Sequence, residues 1–256
     1  MLIEPIIRWL NHKACKPEVP MSNFEKMRHE LKPCDVILIE GRSRVSEVIK
    51  LITQSPWSHA ALYIGRIPDI EDPVLRETLE KHYEGNDNDQ VIIESELGCG
   101  TILRPLRYYE GDHIRIARPE GLKFNDSIDV IRFCVSRLGY DYDVRQIFDL
   151  ARFFFPWWIM PRKWRSSLFS THVGSSTKTV CSTMIAEAFD FVQFPILPLI
   201  KVDDEQNIQL FRRNPKLCVP SDFDYSPYFE IIKYPYLEYQ NQLDYRLLPW
   251  SGTPEE

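Results

Sequence analysis

The chain has 256 residues, 44% hydrophobic and 27% charged, with a formal net charge of −6 and an isoelectric point near 5.6. That length holds one large domain or one domain with appendages, since single cores stop growing at roughly 250–300 residues, and the acidic balance argues against a nucleic-acid partner, which needs a basic face. No apolar run approaches the ~20 residues of a membrane span, no secretory leader pattern is visible, and Cys15, Cys34, Cys99, Cys134, Cys181 and Cys218 lack zinc-like spacing, so reduced thiols in a cytoplasmic compartment are expected.

Met1–Leu10 (MLIEPIIRWL) is apolar with a Trp and an Arg, the composition of a short helix that either packs on the core or lies at a lipid interface. The leading segment through Lys32 reads as helical, with Ser22 as N-cap, Glu25 completing a capping box, and Pro33 as its end. Asp35–Glu40 is a short β-rich run. Ser43 caps a helix to Thr53, with Val45, Val48, Ile49 and Ile52 at helical spacing. After Pro56 comes a buried strand, His59–Ile64, closed by Gly65.

Residues 66–90 form a polar insertion with a short helix near Val74–His82. Strands follow at Val91–Leu97, Thr101–Leu106 and His113–Ala117, then a helix capped by Asn125 or Asp126 and stopped by Gly139. Asp149–Phe155 continues as helix, and Phe153–Met160 (FFFPWWIM) clusters aromatics beside cations, a second candidate for core packing or membrane contact over 153–158. Ser166–Lys178 is a Ser/Thr-rich loop leading to Cys181 and a helix whose buried stripe is Met184, Ile185, Ala188, Phe189 and Val192. Beyond Phe194 the chain is rich in proline and tyrosine, with one strand at Tyr228–Ile232. Strands and helices without regular alternation indicate an α+β fold.

Two segments carry chemistry. Cys181 stands at the start of an amphipathic helix, where backbone N–H groups and the helix dipole favour a thiolate and a developing oxyanion. A free cysteine is more often a packing residue. His59 stands at the mouth of an apolar strand, where it either acts as a base or is a satisfied core histidine. His172, nine residues before Cys181, is a rival base in a loop that would position it poorly. A carboxylate would orient the imidazole. Glu94 and Glu96 both qualify, and strand alternation places them on one face, so periodicity does not choose between them.

The run GRSRVSEVIK…SPWSHAALYIG, the VIIES strand and the VCSTMIAEAF helix together resemble the circularly permuted branch of NlpC-type papain-like cysteine hydrolases. That branch includes the YiiX-like bacterial proteins and, more distantly, the lecithin:retinol acyltransferases. In it the histidine precedes the cysteine, as His59 precedes Cys181. The resemblance covers about Cys34 to Phe194. It implies a permuted papain-like fold, an antiparallel sheet packed against helices, with Cys181 as nucleophile, His59 as base, and Glu94 before Glu96 as the orienting residue. It divides the chain into an N-terminal helical segment (1–32), a catalytic domain (33–194) and a C-terminal extension on the same domain (195–256). Trp57, Ser58 and Ser182 flank the two key residues and are candidate substrate contacts.

The expected activity is hydrolysis or acyl transfer on an amide, ester or thioester, through a covalent acyl-enzyme. The substrate would be a small amide, a peptide or an acyl lipid, with no metal or organic cofactor implied. Two readings from other classes compete: a papain-like binding protein without turnover, and a membrane-surface adaptor using 1–10 and 153–158. The sequence does not fix an oligomeric state.

Overall fold

The structure is a computed structural model, and its description covers residues 3–140, 181–202 and 207–237. The expected helix at Asp149–Phe155, the aromatic stretch 153–158, the Ser166–Lys178 loop and His172 lie outside the described residues.

The fold is α+β. Six strands, β1 (Val36–Glu40), β2 (His59–Gly65), β3 (Val91–Glu96), β4 (Gly100–Pro105), β5 (His113–Pro119) and β8 (Phe229–Ile232), form one sheet in the order β4-β3-β2-β1-β5-β8. Every pairing is antiparallel. β1 sits centrally because both of its faces are apolar: Val36 and Leu38 join one core, Ile37 and Ile39 the other. The first core also takes side chains from α4 (Pro73–His82), α5 (Phe124–Val135) and α6 (Cys181–Phe191). The second is covered by Phe24 and Met27 of α2 (Phe24–Glu30), with Leu106 and Tyr109 of a 3-10 turn.

Helix starts show where local chemistry was misread. Ser22 does not cap α2; its hydroxyl is buried and exchanges two 3.0 Å hydrogen bonds with the Ile114 backbone on β5. Asn23, one residue later, is the cap and accepts from the Lys26 N–H. Likewise neither Asn125 nor Asp126 caps α5, which starts after Lys123 without a side-chain cap. Ser43 does cap α3 (Arg44–Thr53), accepting from the Ser46 N–H at 3.1 Å. The segment through Lys32 is two separate helices, α1 (Ile3–Leu10) and α2, with non-helical chain between them.

α1 uses apolar residues internally: Leu10 is fully buried with Val45 and Leu97, and Ile7 and Ile49 pack on that cluster. Residues after α1 stay pinned to the molecule. The Asn11 amide donates to Leu97 O at 2.8 Å, the Ala14 N–H donates to Arg42 O at 3.0 Å, and Lys13 bridges Ser43. The region after Phe194 contributes more than one strand. It adds a hairpin of β6 (Leu199–Val202) and β7 (Ile208–Phe211), a short helix α7 (Pro220–Tyr225), and β8 at the sheet edge. No helix among the described residues is long and apolar enough to cross a membrane.

Candidate active site

Three elements converge at one end of the sheet. β2 begins at His59 beside the end of β1, where Ile39 pairs with it. β3 carries Glu94 on the strand next to β2. α6 packs against β2 and β3 through Met184, Ile185, Ala188 and Phe189, all fully buried, and this fixes Cys181 at its first residue over the strand mouth.

Glu94 is fully buried, a placement that is tolerable because both of its oxygens are engaged by polar partners. Its Oε2 contacts His59 Nε2 at 2.7 Å and accepts from the Tyr109 hydroxyl at 2.5 Å. Its Oε1 accepts from Arg104 Nε, and Arg104 Nη2 also donates to Glu96. Arg104 in turn stacks on Tyr108, 3.9 Å from the ring centre. The two glutamates that alternation left equivalent are therefore separated by their partners. Glu94 holds the histidine, whereas Glu96 holds the arginine and lies at the cleft wall.

With Nε2 engaged by Glu94, the remaining ring nitrogen of His59 is left for the Cys181 thiol, to which the ring is hydrogen-bonded. The charges follow. Burial alone would lower the His59 pKa, but the Cys181 and Glu94 charges outweigh it and hold the imidazole well above its ordinary 6.5. Burial alone would raise the Cys181 pKa, but His59, together with the Ala60 and Ser182 backbone N–H groups, brings it below the ordinary 9.0. Glu94 is likewise pulled down against burial, by His59, Arg104 and Tyr109, to about 2. Both shifts in the pair favour thiolate and imidazolium.

The other thiols behave differently. Burial pushes Cys34, Cys134 and Cys218 upward, and Cys99, exposed in the β3–β4 turn, is raised as well by partial desolvation and the nearby Glu96 charge. All six cysteines are free, so the distinction is one of environment.

His59 and Cys181 face a cleft with a void of about 90 Å³, walled by Ser58, Ser95, Tyr109 and the first turn of α3. Larger cavities of about 290 and 550 Å³ lie elsewhere and contain neither residue. Of the expected substrate contacts, Ser58 lines the cleft, its hydroxyl accepting from the Gly41 N–H at 2.9 Å. The side chains of Trp57 and Ser182 are structural instead. The Trp57 indole is buried and donates to Asp224 at 3.1 Å, and the Ser182 hydroxyl donates to Cys218 O at 2.7 Å. Ser182 keeps a place at the site through its backbone N–H.

Tyr109 and Arg104 were not foreseen from the sequence. Arg104 had a faint signal, a charged residue on the strand next to Glu94 across the Gly98–Gly100 turn; Tyr109, in a 3-10 turn, had none. Asn11 and Lys13 also line the cleft, from the segment outside the family resemblance. Among the described residues, no three His, Cys, Asp or Glu side chains gather as metal ligands would.

No family model matches the chain, and no curated protein matches it. Among solved structures it is similar to the metalloprotein yiiX from Escherichia coli O157:H7, at 15% identity and a TM-score of 0.47, over 79% of this chain and 97% of that one.

Proposed function

We propose that this chain is a cysteine-dependent hydrolase or acyltransferase of permuted papain-like, NlpC type, acting on an amide, ester or thioester. The observation that carries the reading is the continuous line Cys181–His59–Glu94, in which the thiol pKa is lowered while the other buried thiols are raised.

In this reading the Cys181 thiolate attacks the carbonyl carbon, forming a C–S bond and a tetrahedral oxyanion. The Ser182 N–H, beside the sulfur in the first turn of α6, is the group assigned to that oxygen. His59, already protonated, gives its proton to the departing amine, alcohol or thiol as the carbonyl re-forms. Neutral His59 then takes a proton from water or an acceptor, which attacks the thioester and releases Cys181. Glu94 keeps the imidazole in the required tautomer and offsets its positive charge. Tyr109 and Arg104 hold Glu94 and so act as positioning residues.

The test is the pH dependence of Cys181 alkylation, followed by mass spectrometry in the wild type and in His59→Ala. Fast modification well below the ~8.5 of a free thiol, lost in the variant, is the expected result. Reaction of Cys181 no faster than that of Cys134 or Cys218 would overturn the activated thiol and leave a binding protein. If the thiol is activated, turnover of model esters should disappear in Cys181→Ala and persist in Cys134→Ala.

A further inference from the structure

Most of the charged side chains around the cleft meet an opposite charge in direct contact. Arg42 is paired with Asp112 at 2.6 Å, Glu96 with Arg104, and His59 with Glu94. Lys13 is different. It lines the same cleft as Cys181, and its ammonium donates to the Tyr108 hydroxyl at 2.9 Å and lies 4.2 Å from the Tyr108 ring centre and 5.6 Å from that of Tyr109. Among the described residues no carboxylate pairs with it. Phenol faces attract a cation but carry no net charge, so the exposed ammonium has no anionic side chain in direct contact.

Its position is fixed by backbone rather than by chance. The Lys13–Ser43 bridge, the Ala14 N–H to Arg42 O bond and the Asn11 amide to Leu97 O bond hold residues 11–14 against the β1–α3 and β3–β4 connections. Leu10, fully buried, anchors the segment from the other side. Lys13 is therefore presented to the cleft by a structured wall.

We infer that Lys13 is a specificity residue that selects substrates bearing a carboxylate close to the scissile carbonyl. The inference rests on the proposed function and names its substrate class. A single ammonium matches a monoanion. A phosphate monoester carries about −1.5 to −2 at neutral pH and is typically met by a bidentate guanidinium, whereas Arg42 and Arg104 are already committed to carboxylates. The Ser58 hydroxyl, which accepts from the Gly41 N–H and borders the same cleft, keeps its own hydrogen to offer the rest of a small polar acyl group.

The test needs no knowledge of the natural substrate. Iodoacetate and iodoacetamide differ chiefly in the charge next to the reacting carbon. In both, the Cys181 thiolate forms a C–S bond as iodide leaves. The readout is the ratio of the two alkylation rates at Cys181, in the wild type, Lys13→Gln and Lys13→Arg, with the full chain. The ratio should fall roughly three- to ten-fold in Lys13→Gln and be retained in Lys13→Arg. The wild-type ratio should also shrink in 1 M salt, because the site is open to solvent. A ratio unchanged in Lys13→Gln overturns the inference while leaving the activated thiol standing. Failure of Cys181 to react with either reagent faster than Cys15 would instead remove the proposed function on which it rests. Protection of Cys181 by inorganic phosphate but not by acetate would also overturn it, by assigning the charge to a phosphate.

Discussion

Glu94 decides the chemistry of the site residue by residue, because it is fully buried and still ionised. Replacing it with glutamine keeps the shape and removes the charge that favours the imidazolium. Cys181 then loses part of the stabilisation of its thiolate, and the midpoint of its alkylation profile should move upward toward the ordinary thiol range. Glu96→Gln should move it less, since Glu96 meets Arg104 rather than His59. Superimposable profiles for Glu94→Gln and the wild type would mean that the carboxylate does not govern the pair. His59 and Cys181 were singled out in the sequence by residue type, order and the family resemblance, and the structure brings the two to one cleft. The choice between Glu94 and Glu96 was not, because alternation assigns both to one face, and only the diagonal reach of the ring and the Arg104 bridge separate them. Trp57 was misjudged for a similar reason. Closeness in sequence to His59 says nothing about side-chain direction, and the Trp57 indole turns to Asp224 instead.

At the scale of elements, periodicity and punctuation located most of the sheet and helices, whereas caps were less secure. Ser22 and Asn23 are adjacent and both are good capping types, so local propensity cannot rank them. Tertiary structure does, by drawing the Ser22 hydroxyl into β5. The two roles predict different consequences. Asn23→Ala should cost about 1 kcal/mol through loss of the cap, a fall of roughly 2–4 °C in Tm for a chain of this size. Ser22→Ala leaves the buried N–H and C=O of Ile114 without their side-chain partner and should cost about 1–3 kcal/mol. Thermal unfolding of the two variants checks the order; a larger loss in Asn23→Ala would restore Ser22 to a minor role. The hairpin β6–β7 escaped the sequence reading because its residues are exposed on both faces, so no burial period marks it.

Across the whole molecule, the region beyond Phe194, which the family resemblance does not cover, is part of the frame that holds the helix beginning at Cys181. β8 completes the sheet against β5, and Phe229 packs edge-on to Phe189 of α6, Phe194 and Phe223 at ring separations of 5.4–5.6 Å. Phe229→Ala should therefore destabilise the fold by roughly 3–5 kcal/mol and loosen the helix that begins at Cys181, as read by denaturant unfolding followed in parallel with Cys181 alkylation. The buried charges add a pH dependence to that frame. Glu94 takes its proton at about 2 in the folded chain against an ordinary 4.5. Between these values the unfolded chain binds more protons, so stability rises with pH. The contribution is complete above the unfolded value and lost as pH falls through about 2. His59 works in the opposite sense: its raised pKa gives stability that is complete below 6.5 and lost as pH rises through the folded value. Glu94→Gln removes the first effect directly. Urea unfolding at pH 5, 4 and 3 should show a shallower decline in the variant than in the wild type, whatever the offset between their absolute stabilities. Parallel declines would mean that Glu94 is already protonated in the folded chain, and the ion pair between Cys181 and His59 would lose its anchor.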